Sequence, residues 1–238
     1  MLPTSKMSKT YWWSIATLVL FSAVNPAHAA TEAGWICKQS SSRYGSLTCY
    51  VTPHNFRMDA MDIRLYVKAP FKDVTMYNMD AKLKYTESID NLASRISIRS
   101  LTQKDIKKGI KEAIVKQGKR TIAGFECDEY LSYHINNKGA KRPRVLIYAT
   151  KGLALPKSME IACAKLTDCP PGLGFPVRLQ ICESITDKAT KTSGYRLQQM
   201  LNTNKADPGK IDDQMFIEPT GFKSARDEME IMMGAPPP

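Results

Sequence analysis

Residues 63–88 read IRLYVKAPFKDVTMYNMDAKLKYTES, and this stretch decides the fold class. Residues 63–67 are apolar at every second position, which is the period of a strand with one buried face. The pattern breaks at Pro70, resumes over 74–77 and turns again at 78–80. Links of this length are too short for crossover helices, so the stretch predicts a meander of antiparallel strands.

Strand patterns continue on both sides of this meander. Residues 144–150 are apolar on both faces, which indicates a central strand, and residues 175–181 alternate clearly. Arg43-Tyr44-Gly45-Ser46 is typical of a turn between two strands. We therefore expect one mainly β (α+β) domain over residues 30–223, followed at 224–238 by a short helix and a disordered proline tail.

Two segments have helical character. In residues 102–117, apolar side chains recur at helical spacing after Thr102 and Asp105, which resemble a capping box. This predicts a helix packed on the sheet, with residues 157–166 as a second one. A helix lying on an anionic membrane surface is the alternative for 102–117, because its other face forms a basic surface: Lys104, Lys107, Lys108 and Lys111.

Residues 1–29 have the organisation of a signal peptide. Lys6 and Lys9 precede an apolar run over 11–24, and Ala27-His28-Ala29 fits a cleavage site of the A-x-A kind. The run is shorter than the roughly 20 apolar residues that span a bilayer, although an uncleaved anchor is the alternative. We expect a periplasmic or secreted protein that is soluble after cleavage.

The chain is basic. Its formal net charge is +11, and removing residues 1–29 with their two lysines leaves +9. Such a surface either contacts an anionic partner, such as lipid head groups, or is simply solvated. Nucleic acid is not an expected partner of an exported chain.

The cysteine count favours disulfides. Six cysteines, an even number, are expected to pair in an oxidising compartment: Cys37, Cys49, Cys127, Cys163, Cys169 and Cys182. The pairing Cys37–Cys49 is favoured because a turn signal lies between its two members. No C-x-x-C motif is present, and the histidines after residue 29 lie far from paired cysteines, so we expect no metal site.

Motifs of catalysis and cofactor binding are missing from the sequence. There is no G-x-S-x-G elbow, H-E-x-x-H helix motif or phosphate-binding loop. His134 lies near Ser132, but no orienting partner for its imidazole is evident. We therefore expect a protein that is not an enzyme and needs no cofactor, with a hydrolase as the least favoured reading.

Five segments, taken in order, resemble a known family. The chain is similar to the periplasmic lipoprotein-carrier (LolA-like) superfamily, nearest to its uncharacterised single-domain members. The resemblance implies a strongly curved antiparallel half-barrel with two or three helices over its concave face and a cavity for lipid or acyl chains. The segments are VTPHNFRMD at 51–59, DVTMYNMDAKLKYTES at 73–88, TIAGFECDEYLSY at 121–133, GLGFPVRLQI at 172–181 and MFIEPTGFK at 215–223.

From strand alternation we expect ten residues to line this cavity, and two functions compete. The favoured function is a non-enzymatic periplasmic carrier of an apolar or amphiphilic ligand, with lipid or lipoprotein acyl chains and an anionic membrane surface as partners. The alternative is a disulfide-braced scaffold or interaction domain without a small ligand. The expected lining residues are Ile63, Leu65, Val67, Val74, Met76, Leu131, Tyr133, Val177, Leu179 and Ile181.

Overall fold

The computed structural model describes residues 30–97, 101–186 and 193–234. The predicted signal peptide at 1–29 and the last four residues of the predicted proline tail lie outside this range. No helix within the described ranges is long and apolar enough to cross a bilayer.

The described strands form a single curved, unclosed sheet, as predicted. Neighbours pair antiparallel, except that the last strand runs parallel to β6. The spatial order is β12-β6-β5-β4-β3-β2-β1-β11-β10-β9-β8-β7, so two meanders meet where β1 pairs with β11. The strands are β1 Thr31–Ser41, β2 Gly45–Val51, β3 Asn55–Ala60, β4 Ile63–Lys68, β5 Asp73–Asn78, β6 Leu83–Ser88, β7 Lys111–Ile122, β8 Phe125–Ile135, β9 Lys141–Thr150, β10 Phe175–Thr186, β11 Ser193–Asp212 and β12 Lys223–Ser224.

The meander of residues 63–88 forms as its alternation predicts. It becomes β4, β5 and β6, with Leu65 opposite Met76 across the first pair. Both side chains are almost fully buried, as are Ile63, Val67 and Val74. One face of the meander therefore carries the core.

Four α-helices lie in the described ranges. Their bounds are α1 Ile89–Ile96, α2 Gln103–Lys107, α3 Lys157–Leu166 and α4 Glu228–Met233. The helix predicted over 157–166 is confirmed as α3. The last helix begins later than predicted, because Asp227 caps it by accepting a hydrogen bond from the Glu230 amide, while Ser224 ends β12.

The helix predicted over residues 102–117 is wrong beyond its first turns. The capping box of Thr102 and Asp105 is present, but α2 ends at Lys107, and Gly109 adopts a positive φ of 70°. From Lys111 onward the chain pairs with β8 as strand β7. The isoleucines at 106, 110 and 114 are spaced by four, which also keeps them on one face of a strand, so their periodicity did not distinguish the two structures.

Strand β7 forms one edge of the sheet. Of its twelve residues, only Ala113 and Ile122 are not exposed. Lysine and arginine occupy four of the exposed positions: Lys111, Lys116, Lys119 and Arg120. Charged side chains of this kind are typical of edge strands that must not pair with another chain.

Three helices cover the apolar concave face. Leu92 of α1, Met159 of α3 and Ile231 of α4 are each no more than 2% exposed and belong to one core with the inward residues of β1–β5. Such a layer of helices is what a sheet with one apolar face requires. The predicted half-barrel with helices over its concave side is thus confirmed.

The opposite face of β3–β5 is covered by the chain after β11. Arg57 donates a hydrogen bond from Nη1 to the Met215 carbonyl at 2.7 Å. The Tyr77 hydroxyl donates to Glu218 Oε2 at 2.7 Å. Both contacts lie on the side of the strands away from Met58 and Met76, so residues 213–222 brace the sheet from outside.

Gly174, between α3 and β10, allows a close approach of two chain segments. Its φ is +107°, and a Cβ there would lie 2.4 Å from the Thr150 carbonyl oxygen. Its amide donates to Glu160 Oε1 at 3.1 Å. The substitution Gly174→Ala should therefore lower the free energy of unfolding by about 2 kcal/mol or more in urea denaturation.

The matched control is Gly118→Ala in β7. A Cβ at Gly118 meets nothing within 4 Å. That variant should stay within about 0.5 kcal/mol of the parent protein. Equal stability of the two variants would show that the contact between Gly174 and the Thr150 carbonyl is not tight.

Candidate ligand-binding cavity

An apolar cavity lies between the concave face and helices α1 and α3. Its volume is about 130 Å³. The sheet supplies the floor, and Leu92, Ile96, Cys163 and Leu166 of the two helices supply the roof. The complete lining is Gln39, Ser41, Arg43, Tyr44, Leu47, Cys49, Phe56, Met58, Leu65, Leu92, Ile96, Cys163, Leu166, Thr167, Asp168, Phe175, Leu179, Met200 and Leu201.

The polar wall residue Gln39 is satisfied within the protein. It is 5% exposed. Its amide donates to Thr203 Oγ1 at 2.8 Å, and its Oε1 accepts from Cys49 Sγ at 3.3 Å. A buried amide with both ends bonded does not attract water strongly, so this wall stays compatible with an apolar ligand.

Two cysteine thiols form part of the apolar wall. Burial raises the pKa of Cys49 well above its usual value, and the nearby Cys37 adds to the shift. Burial also raises the pKa of Cys163. Both thiols are therefore protonated at neutral pH and act as small apolar side chains rather than nucleophiles.

The expected disulfides do not form in the structure. All six cysteines, Cys37, Cys49, Cys127, Cys163, Cys169 and Cys182, are buried, and none of them is joined to another in a disulfide. Cys37 and Cys49 do lie directly opposite each other on β1 and β2, as the predicted turn requires. The Cys49 thiol nevertheless donates to Gln39 instead of bonding to Cys37.

A network of charged side chains closes one side of the cavity rim. Arg43, in the turn between β1 and β2, donates to Glu228 of α4 at 2.8 Å. Arg95 of α1 lies 3.4 Å from the same carboxylate and also pairs with Glu87 of β6. Because the Glu228 side chain is only 9% exposed, this carboxylate ties the roof helix α1 and the turn to α4.

The two roof helices are also tied to each other. Lys165 of α3 pairs with Asp90 of α1. The Ser97 hydroxyl, just after α1, donates to Asp168 just after α3 at 2.6 Å. These polar contacts thus join the two helices into one roof, whose apolar side chains line the cavity.

Two of the ten residues predicted to line the cavity do so, Leu65 and Leu179. Five others lie in the same core but outside the cavity lining: Ile63, Val67, Val74, Met76 and Val177. The helices pack directly on this part of the sheet, so alternation identified the inward face but not the part of it left open.

The remaining three, Leu131, Tyr133 and Ile181, are partly buried and lie outside the cavity lining. Leu131 faces Leu146 across β8 and β9, whereas Tyr130 faces Ile147, the partner of Leu179. Directly opposed residues share a face, so Leu131 lies on the other side of the sheet from Leu179.

Several lining residues were missed by the sequence reasoning. Leu47 and Cys49 on β2 and Phe56 and Met58 on β3 obey the same period-two pattern that was applied to β4. Leu92 and Ile96 had no comparable signal, because α1 is only eight residues long.

The predicted basic surface lies away from the cavity. Lys104, Lys107, Lys108 and Lys111 are exposed, on or beside α2 and at the start of β7. The cation at the cavity rim is Arg43 instead.

The two described histidines lie outside the cavity lining. His54 Nδ1 lies 2.5 Å from Glu32 Oε1. Ser132, near His134, donates its hydroxyl to Glu112 at 2.9 Å. Among the described residues, no group of three or more His, Cys, Asp or Glu side chains is arranged to hold a metal ion.

Comparisons with known proteins leave the family open. No protein-family model matches the chain, and no curated protein matches it significantly. A domain described as an outer membrane lipoprotein-sorting protein from Vibrio parahaemolyticus is 9% identical, with 84% of this chain and 88% of that chain covered and a TM-score of 0.22. A DUF1329 family protein from Desulfovibrio piger is 12% identical, with 79% and 89% covered and a TM-score of 0.22. Values this low support no conclusion about function.

A thiol titration checks the state of the cysteines. Because all six are buried and burial raises the pKa of Cys37 to about 12, native protein should react slowly with Ellman's reagent at pH 8. In protein that is unfolded without prior reduction, the reagent should titrate six thiols. A sample reduced and desalted before unfolding is the control, and two more thiols in that control would reveal a disulfide.

The rim network should contribute to stability. Glu228→Gln removes the charge shared by Arg43 and Arg95 and should lower the free energy of unfolding by about 1 kcal/mol. Hydrogen exchange of the α4 amides should accelerate with it. Glu183→Gln, which breaks an exposed pair with Arg196, is the control and should leave both measurements unchanged. Unaltered α4 exchange in Glu228→Gln would contradict the assigned role.

Proposed function

We propose that this protein is a non-enzymatic binder of an apolar or amphiphilic ligand, held between the concave face and the roof helices. The observation that carries the proposal is the cavity, whose floor and roof are mainly apolar and whose buried polar wall residue, Gln39, is bonded within the protein. A pocket with many apolar walls and a few polar groups at one end is typical of ligand sites in proteins.

The shape of the cavity supports an amphiphile in particular. The apolar part would contact Leu65, Phe56 and Leu92, and a polar end would reach Arg43 and Thr167 at the rim. Burying each CH₂ group is worth about 0.8 kcal/mol, so even a short hydrocarbon segment contributes appreciably. Lipids and acyl chains are the ligand class with these properties.

The cellular setting is part of the same proposal. Export through the segment at 1–29 would place the protein in the periplasm, where lipid or lipoprotein acyl chains and anionic membrane surfaces are available. Membership of the LolA-like superfamily would fit such a carrier. The absence of disulfides among the six described cysteines removes the main support for a disulfide-braced scaffold.

Purification of the full chain from its own periplasm tests the proposal. Native mass spectrometry and lipid extraction should find a bound amphiphile. The variant Leu166→Trp, which places an indole in the cavity, should lose this ligand, because the added ring takes up the free volume.

The matched control is Leu155→Trp. Leu155 is also partly buried and packs on the core, but it lies outside the cavity lining. This variant should keep the ligand. Parent protein that carries no amphiphile, and binds none added to it, would overturn the proposed function.

A further inference from the structure

We propose, building on the proposed function, that the cavity is a site for one compact apolar group of about six carbon atoms. Such a group is a ring or the terminal segment of a single chain. Several complete acyl chains do not fit. The proposal rests on the cavity's volume, on the ties that close its roof and on the balance of charge at its rim.

The volume sets the size of the ligand. The cavity measures about 130 Å³, and an apolar protein cavity of about 150 Å³ holds one benzene molecule. The enclosed part of a ligand is therefore about as large as a six-carbon group. A long chain would place only its end inside, and the rest would lie outside the rim.

The roof resists enlargement of this space. Lys165–Asp90 and Ser97–Asp168 join α3 to α1. Glu228 holds Arg95 of α1 and Arg43 of the rim. Movement of α1 or α3 alone would break the contacts between them, and movement of both together would break the Arg95–Glu228 contact. A ligand that fits without movement binds without that cost.

The rim shows no net preference for one sign of charge. One cation, Arg43, and one anion, Asp168, lie in the lining. Arg43 pairs with Glu228 at 2.8 Å, and Asp168 accepts a hydrogen bond from Ser97 at 2.6 Å, so both charged side chains are already held by protein partners. A carboxylate and an uncharged hydroxyl at the end of the same chain should therefore bind with similar affinity.

A chain-length series tests the size limit. Dissociation constants of the full chain for straight-chain alcohols from butanol to dodecanol, measured by calorimetry or by displacement of a fluorescent probe, should fall about fourfold per CH₂. The dissociation constant should stop falling once the alcohol has about six to seven carbons. Hexanoate and hexanol should agree within about threefold.

Variants with a larger cavity should raise the chain length at which the affinity stops increasing. Leu92→Ala removes about three carbons from the cavity roof and should shift the plateau to about nine or ten carbons. Leu166→Ala, at a partly buried position, tests the same shift if Leu92→Ala fails to fold. Leu83→Ala is the control, because Leu83 is buried in the same core but lies outside the cavity lining.

The outcomes separate this inference from the proposed function. A plateau near six carbons that moves in the roof variants and not in Leu83→Ala supports the inference. Affinity that keeps rising to dodecanol, a plateau unmoved by the roof variants, or a tenfold preference between hexanoate and hexanol overturns it while leaving a binding protein. Failure to bind any member of the series overturns the proposed function itself.

Discussion

The apolar concave face of the unclosed sheet has to be covered, and the packing of α1 and α3 against that face is the interaction on which the structure depends. An open sheet with one exposed apolar face is not stable in water. Leu92 and Met159 bury themselves fully in this contact. The cavity exists because the two helices cover the face without filling every position beneath them.

Polar contacts and apolar packing have separate tasks in this arrangement. The core fixes where the helices lie, whereas the ionic network around Glu228 fixes which surfaces meet at the rim. The thiols of Cys49 and Cys163 act as part of the apolar core, since burial keeps them protonated. The wall therefore offers a ligand mainly dispersion contacts, because its buried amide, Gln39, is already bonded to Thr203 and Cys49.

Local sequence patterns predicted the positions of the strands much better than they predicted which residues line the cavity. The alternation of β4 to β6 reflects burial of one face and could be read directly. At 102–117 the four-residue spacing of isoleucines fits a helix and a strand equally, and pairing with β8, far along the chain, decided between them. Leu65 and Val67 share one face of β4, yet only Leu65 lines the cavity, because the placement of helices from other parts of the sequence decides which position stays open.

The lysine-rich strand β7 has a consequence for self-association. A sheet that does not close into a barrel presents free backbone donors and acceptors at its ends, and two copies meeting there could extend into a fibre. Edge-to-edge contact of two β7 strands would bring Lys116, Lys119 and Arg120 of each copy close together. Because these cations pair with Asp128, Glu126 and Glu129 of β8, a second chain that paired with this edge would have to accommodate and desolvate those ion pairs, which opposes association along this edge.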